Sequence, residues 1–144
     1  MRYSRTLAIG CLLSLAAFTS TANADDLPRT NAATGAKAYI VSPKDGSTVS
    51  SPVTVVFGLE GMGVAPAGVE TPNTGHHHLL VDVDKLPDLN KPLGADVKHF
   101  GGGQTQVQLE LAPGKHTLQL ILGDKLHIPH QPPVVSEKVT ITVK

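Results

Sequence analysis

Cysteine is nearly absent from this sequence: Cys11 is the only one in 144 residues, and there is no tryptophan. Cys11 lies in a stretch that reads as a targeting peptide, so the chain beyond position 24 has no thiol. That excludes disulfides, thiolate metal sites and a cysteine nucleophile, and leaves imidazole, carboxylate, thioether or backbone to hold any metal. Met62 is the only methionine besides Met1, which excludes copper(I) sites built from several thioethers. Beyond position 24 the aromatics are Tyr39, Phe57 and Phe100 alone, too few for the stacking platforms on which single-stranded nucleic acids, and by extension sugars, are bound. Neither charge sign is in excess, with 12 basic against 12 acidic residues, so there is no basic footprint for nucleic acid or anionic lipid. No nucleophile elbow, serine-triad spacing or paired general acid and base stands out. Gly101-Gly102-Gly103 has no Lys-Ser/Thr after it and runs into a strand pattern, so it is not a phosphate loop.

Long apolar runs are also missing. The longest, Leu7 to Phe18, is well short of the ~20 residues that span a bilayer as a helix. Preceded by Arg2 and Arg5 and followed by Ala22-Asn23-Ala24, it has the layout of a secretory signal. We expect residues 1–24 to be cleaved before Asp25, giving a periplasmic or secreted protein with no transmembrane segment. Lipidation at Cys11 is disfavoured because Ala8, not a larger apolar residue, stands three positions before it. Residues 25–36 are small, polar and aperiodic and predict a disordered leader, with one domain over residues 37–144.

What is present is strand periodicity. Val53, Val55, Phe57 and Leu59 alternate with other residues, as do Thr105, Val107, Leu109 and Leu111, and later Val135, Glu137, Val139, Ile141 and Val143. Period-two alternation marks half-buried strands, and no apolar pattern of helical period runs to helical length. Further strands are expected over Ala38–Ser42, Gly75–Asp84 and His116–Leu122, with Pro43-Lys44-Asp45-Gly46 as a turn. Ala112-Pro113-Gly114-Lys115 predicts a tight hairpin. The expected fold is all-β: an antiparallel, immunoglobulin-like β-sandwich of about seven strands. Two long irregular segments, Glu60–Thr74 and Lys85–Gly103, flank the strand that begins at Gly75, and loops of that length in a compact domain are often functional.

All seven histidines lie beyond position 24. His76 and His78 share one face of a strand with Cα atoms about 7 Å apart, so both imidazoles reach one ion, whereas His77 points the other way. His99 precedes a strand, and His127 and His130 flank a proline-stiffened turn beside Asp124, a candidate carboxylate partner. The candidate metal ligands are His76, His78, His99, His127 and His130, and the ions that suit them are copper(II) or zinc. His116 shares its parity with Leu118, Leu120 and Leu122 and reads as a core-edge residue. Asp82 and Asp84 read as solvated strand-end charge.

The stretches Gly61-Met62-Gly63-Val64-Ala65-Pro66-Ala67-Gly68, Asn73-Thr74-Gly75-His76-His77-His78, Phe100-Gly101-Gly102-Gly103-Gln104-Thr105, Gly114-Lys115-His116-Thr117-Leu118-Gln119-Leu120 and His127-Ile128-Pro129-His130-Gln131-Pro132-Pro133 resemble a family of small exported bacterial domains of unknown function. The resemblance runs from about Ala38 to Val143 and implies a periplasmic or secreted β domain with no established activity. All seven histidines match its pattern. Some members carry more histidine near the positions of Val97 and Lys125, so fewer potential ligands stand here, which argues against an obligate multinuclear site. The leading reading is a non-enzymatic metal-binding protein. An envelope interaction module that uses loop 61–75 against a partner protein, or a metal-dependent redox enzyme, are the alternatives.

Overall fold

The computed structural model describes residues 27–144. The expected signal peptide and the first two leader residues lie outside them. Among the described residues there is no helix, and nine strands form: β1 (Lys37–Ser42), β2 (Thr48–Val49), β3 (Val53–Glu60), β4 (Gly63–Val64), β5 (Thr74–Val81), β6 (Lys98–His99), β7 (Gln106–Leu109), β8 (Gly114–Gly123) and β9 (Val139–Val143). They make a β-sandwich of two sheets. One has the order β1-β3-β7; the other runs β2-β9-β8-β5-β4, with β6 also paired to β5.

Between the sheets the alternating residues meet as predicted. Val53, Val55 and Phe57 from β3 pack against Leu79 of β5 and against Leu118, Leu120 and Leu122 of β8, with Val139, Ile141 and Val143 of β9 completing the layer. β-Branched and large apolar side chains on every second position suit this pleated, half-buried surface.

Three details of the pairing differ from the expectation. The Ala112–Lys115 reversal does not close a hairpin: β7 pairs with β3 and β8 with β5 and β9, so the reversal carries the chain from one sheet to the other. Spacing fixes the turn but not which edge the next strand joins. The sandwich is not purely antiparallel, because β2 pairs parallel to β9 and β4 parallel to β5. The last strand begins only at Val139, because Ser136 Oγ accepts the Leu120 N–H at 2.9 Å and breaks the ladder after the Ile121–Val135 bridge.

Strand β5 is buried on both faces from Gly75 to Leu80. One face meets the sandwich core. The other is covered by the segment between β5 and β6, whose Leu93 and Val97 form a second apolar cluster with Leu80 and Ile121. Asp82, at φ 57°, ends β5 and starts this segment; its carboxylate accepts the Thr117 N–H at 2.8 Å and pairs with His116 Nδ1 at 2.7 Å.

Residues expected to form a disordered leader are docked from Arg29 onward. Arg29 donates to the carbonyls of Pro129 and His130. Thr30 Oγ1 donates to Asp124 Oδ2 at 2.7 Å, and Asn31 bridges to Gln131. Composition does not show these contacts because they use backbone and polar groups rather than an apolar stripe.

Phe57 joins the sheets at the point nearest the histidine strand, with its ring 4.8 Å from Phe100 and 5.2 Å from His77 between centroids. Phe57→Ala should cost about 3–5 kcal/mol and lower the melting temperature by more than about 10 °C. Thermal unfolding followed by circular dichroism measures this; a shift of a degree or two would mean that Phe57 does not join the two sheets.

Candidate metal centre

His76 and His78 lie on the outer face of β5 with Leu80, and β5 holds them in register with the two strands beside it. In β8, His76 stands opposite Gly123 and His78 opposite Ile121. On the other side His78 stands opposite His99 of the two-residue β6, so the cross-strand pairing that fixes β6 also sets His99 on the same face. A fourth imidazole, that of His127, arrives from the turn after β8. Asp124 builds that turn: its Oδ1 accepts the N–H groups of Leu126 at 2.8 Å and Ile128 at 3.0 Å, and its carbonyl accepts the His127 N–H at 2.9 Å. His127 is held at φ 67°, a left-handed conformation that costs a non-glycine residue about 1–2 kcal/mol. Asp124 is therefore committed to the backbone and to Thr30, and acts as the scaffold of the turn.

One nitrogen from each of His76, His99 and His127 lies within 4.8 Å of the others, and His99 Nε2 is 3.1 Å from His127 Nε2. The His78 ring forms the fourth wall, with centroids 4.7 Å from His76, 5.1 Å from His99 and 5.9 Å from His127. His76 and His78 are fully buried while His99 is exposed, so the group has a dry floor and a solvent-facing side. Among the described residues, neither ring nitrogen of His76 or His78 has a hydrogen-bond partner. A buried polar group without a partner costs about 1–3 kcal/mol; both nitrogens of His77, on the core face, share that condition, but His76 and His78 differ in lying among other imidazoles, each with one lone pair to give.

Electrostatics agree with that. Burial, then the neighbouring His127 and His99, push the His76 pKa down to about 4. Burial, then His76, His99 and His127, push His78 down to about 3. His99 is lowered as well, by desolvation and by His127. These three imidazoles are neutral at pH 7, the form a metal ion needs.

Glycine makes room for the rings. A Cβ on Gly123 would stand 2.7 Å from His78 Cε1, and one on Gly101 would overlap the His99 ring. The strap between β4 and β5 ties the two loops that bring His99 and His127: Ala67 N–H donates to Gly101 O at 2.8 Å and Gly68 N–H to Lys125 O at 3.0 Å.

Of the five expected ligands, His76, His78, His99 and His127 are brought together and His130 is not. His130 lies over Gly75, with Nε2 3.2 Å from the Thr74 carbonyl and Nδ1 3.5 Å from that of Leu122, and fastens the turn to β5. His77 faces the sandwich core beside Phe57, where burial pushes its pKa down to about 4. His116 is near the start of β8, away from the group, its pKa raised by its hydrogen bond to the Asp82 carboxylate and then by the Ala112 carbonyl. Sequence reasoning misses the two cradle glycines and the strap. Gly101 and Gly123 stand close to His99 and Asp124 in the chain, but only the pairing reveals which ring each one admits.

Among curated proteins and among solved structures, nothing matches the chain. A family model described as Domain of unknown function (DUF4399) matches residues 55–144. That span contains every residue of the histidine group and most of both sheets, and the chain belongs to this family.

Proposed function

We propose that the protein binds a single copper(II) or zinc ion through His76, His99 and His127, with His78 as the fourth imidazole, and that it acts as an exported metal-binding protein rather than an enzyme. The observation that carries this reading is the convergence of nitrogens from His76, His99 and His127 within 4.8 Å of one another, with the buried His78 ring beside them and no hydrogen-bond partner for the His76 or His78 nitrogens among the described residues. An all-nitrogen donor set suits borderline ions and gives calcium or magnesium no oxygen ligands. The exposed position of His99 fits an ion that is loaded and released, in contrast to the fully enclosed ion of a structural site. An exported location accords with the Arg2, Arg5, Leu7–Phe18 and Ala22-Asn23-Ala24 pattern. Among the described residues no side chain near the group stands as an obvious acid, base or nucleophile, which favours binding over turnover.

Isothermal titration of tag-free protein with zinc should give one ion per chain. His76→Ala and His127→Ala should each weaken binding by more than the 10- to 100-fold typical of changes just outside a ligand shell. His116→Ala, at the far end of β8, should leave affinity unchanged. Equal losses in all three variants would mean that the site is elsewhere or that binding is nonspecific.

Gly123→Ala tests the cradle. The added methyl, 2.7 Å from His78 Cε1, should cost about 1–3 kcal/mol of stability by overpacking and shrink the metal-induced rise in melting temperature. A variant with the full metal-induced rise would show that His78 has no part in the site.

The metal-free protein should also lose stability in acid. His76, His77 and His78 have folded pKa values depressed from 6.5 to about 4, 4 and 3, so the unfolded chain binds more protons below pH 6.5. Their contribution is fully present above about pH 6.5 and is lost as pH falls toward 4. Denaturant midpoints at pH 7.5, 6, 5 and 4 check this; a midpoint unchanged to pH 4 would contradict it.

A further inference from the structure

The six distances between the four imidazole rings carry information about the ion itself. With a metal–nitrogen bond of about 2.0–2.1 Å, each ring centre lies about 3.2 Å from the ion, so tetrahedral ligands have centres about 5.2 Å apart. In a square plane or an octahedron, neighbouring rings would be about 4.5 Å apart and opposite rings about 6.4 Å apart. Any four positions of a square plane or an octahedron include at least one opposite pair. Here the separations are 4.6 Å for His99–His127, 4.7 Å for His76–His78, 5.0 Å for His76–His127, 5.1 Å for both His76–His99 and His78–His99, and 5.9 Å for His78–His127. A square plane needs two opposite pairs, whereas here only His78–His127 exceeds 5.1 Å, and the six separations average about 5.1 Å, close to the tetrahedral value. Within the trio whose nitrogens already converge, the separations of 5.1, 5.0 and 4.6 Å describe a nearly equilateral face. The 3.1 Å between His99 Nε2 and His127 Nε2 is close to the edge of about 3.3 Å expected of a tetrahedron of nitrogens at that bond length.

The backbone gives these rings little freedom to rearrange. His76 and His78 are fixed by a ladder on both sides of β5, His99 by its pairing opposite His78, and His127 by the Asp124 turn. The His78 ring is packed against Gly123, which has room for it only because it bears no side chain. The nearby carboxylate of Asp124 does not complete an octahedron from within, since it is held by two backbone N–H groups and Thr30.

We infer that the four-histidine group is a distorted tetrahedral cage, with its His76–His99–His127 face preformed, that selects zinc(II) and disfavours the tetragonal geometry of copper(II). This rests on the metal-binding reading above and narrows its ion. An unconstrained imidazole site binds copper(II) more tightly than zinc; this cage opposes that order by denying copper(II) the two opposite pairs of nitrogens that a tetragonal plane requires. The nitrogens of His78 stand outside the 4.8 Å set of the other three, so its ring turns inward when the ion enters.

Cobalt(II) is the probe, since it reports geometry by its visible spectrum and is displaced by zinc. Tag-free protein loaded with one equivalent of cobalt should show the intense visible bands of a tetrahedral ion, and zinc should abolish them at one equivalent. His78→Ala should still bind cobalt but with weakened, shifted bands and at least about tenfold lower zinc affinity. His99→Ala, at an exposed position that the fold tolerates, should do the same and keeps the test valid if His78→Ala does not fold. Cobalt bound stoichiometrically with the weak spectrum of an octahedral ion would overturn the tetrahedral cage and leave the metal-binding reading standing. Absence of any cobalt or zinc binding would overturn both.

Discussion

Burial of β5 on both faces is the constraint on which the rest of this structure depends. In most antiparallel sheets one face meets the core and the other meets water, and histidines on the outer face would be solvated and ordinary. Here the segment leaving Asp82 folds back over that face and seals it with Leu93 and Val97 against Leu80 and Ile121. The same segment ends in β6, so the cover that dries His76 and His78 also delivers His99 beside them. Burial lowers their pKa values and leaves their nitrogens without partners among the described residues, and a cation at the proposed site would take one lone pair from each ring.

Several unfavourable features converge on this one place. They are the left-handed backbone of His127, the orphaned nitrogens of His76 and His78, and close approaches that only glycine at positions 101 and 123 allows. Each costs folding free energy, and local strain of this kind concentrates at functional sites. An ion at the proposed site would accept one lone pair from each imidazole and so offset part of that cost. The supports are redundant, since the Asp124 turn is braced by Thr30 from the N-terminal segment and by Gly68 of the strap. Small shifts of His127 are thereby resisted from two sides.

The core of the fold and the four histidines of the group are legible in the chain, but not how the histidines meet or that His130 stays apart. Period-two parity separates His76 and His78 from His77, and the structure keeps that separation, because alternation is a property of the backbone and holds whatever the tertiary contacts. The same parity places Val53, Val55 and Phe57 in the core. His130 groups with His127 in the sequence because only Ile128 and Pro129 stand between them, yet the left-handed turn at His127 sends the two rings to different neighbours. No local signal announces that φ value, since Asp124 imposes it through hydrogen bonds to Leu126 and Ile128. The cover over β5 reads only as a long irregular loop, because Leu93 and Val97 are too sparse to show a period. The sheet crossing at Ala112–Lys115 is likewise invisible, since a tight turn has the same composition whether it joins two strands of one sheet or of two.

Soaking crystals of tag-free protein with one equivalent of zinc and collecting an anomalous difference map at the zinc edge tests the central claim most directly. Ligation by the four imidazoles gives one strong peak enclosed by His76, His78, His99 and His127, about 2.0–2.1 Å from a nitrogen of each. A peak at His116, at His130 or only on surface carboxylates, with the four rings unliganded, would contradict it.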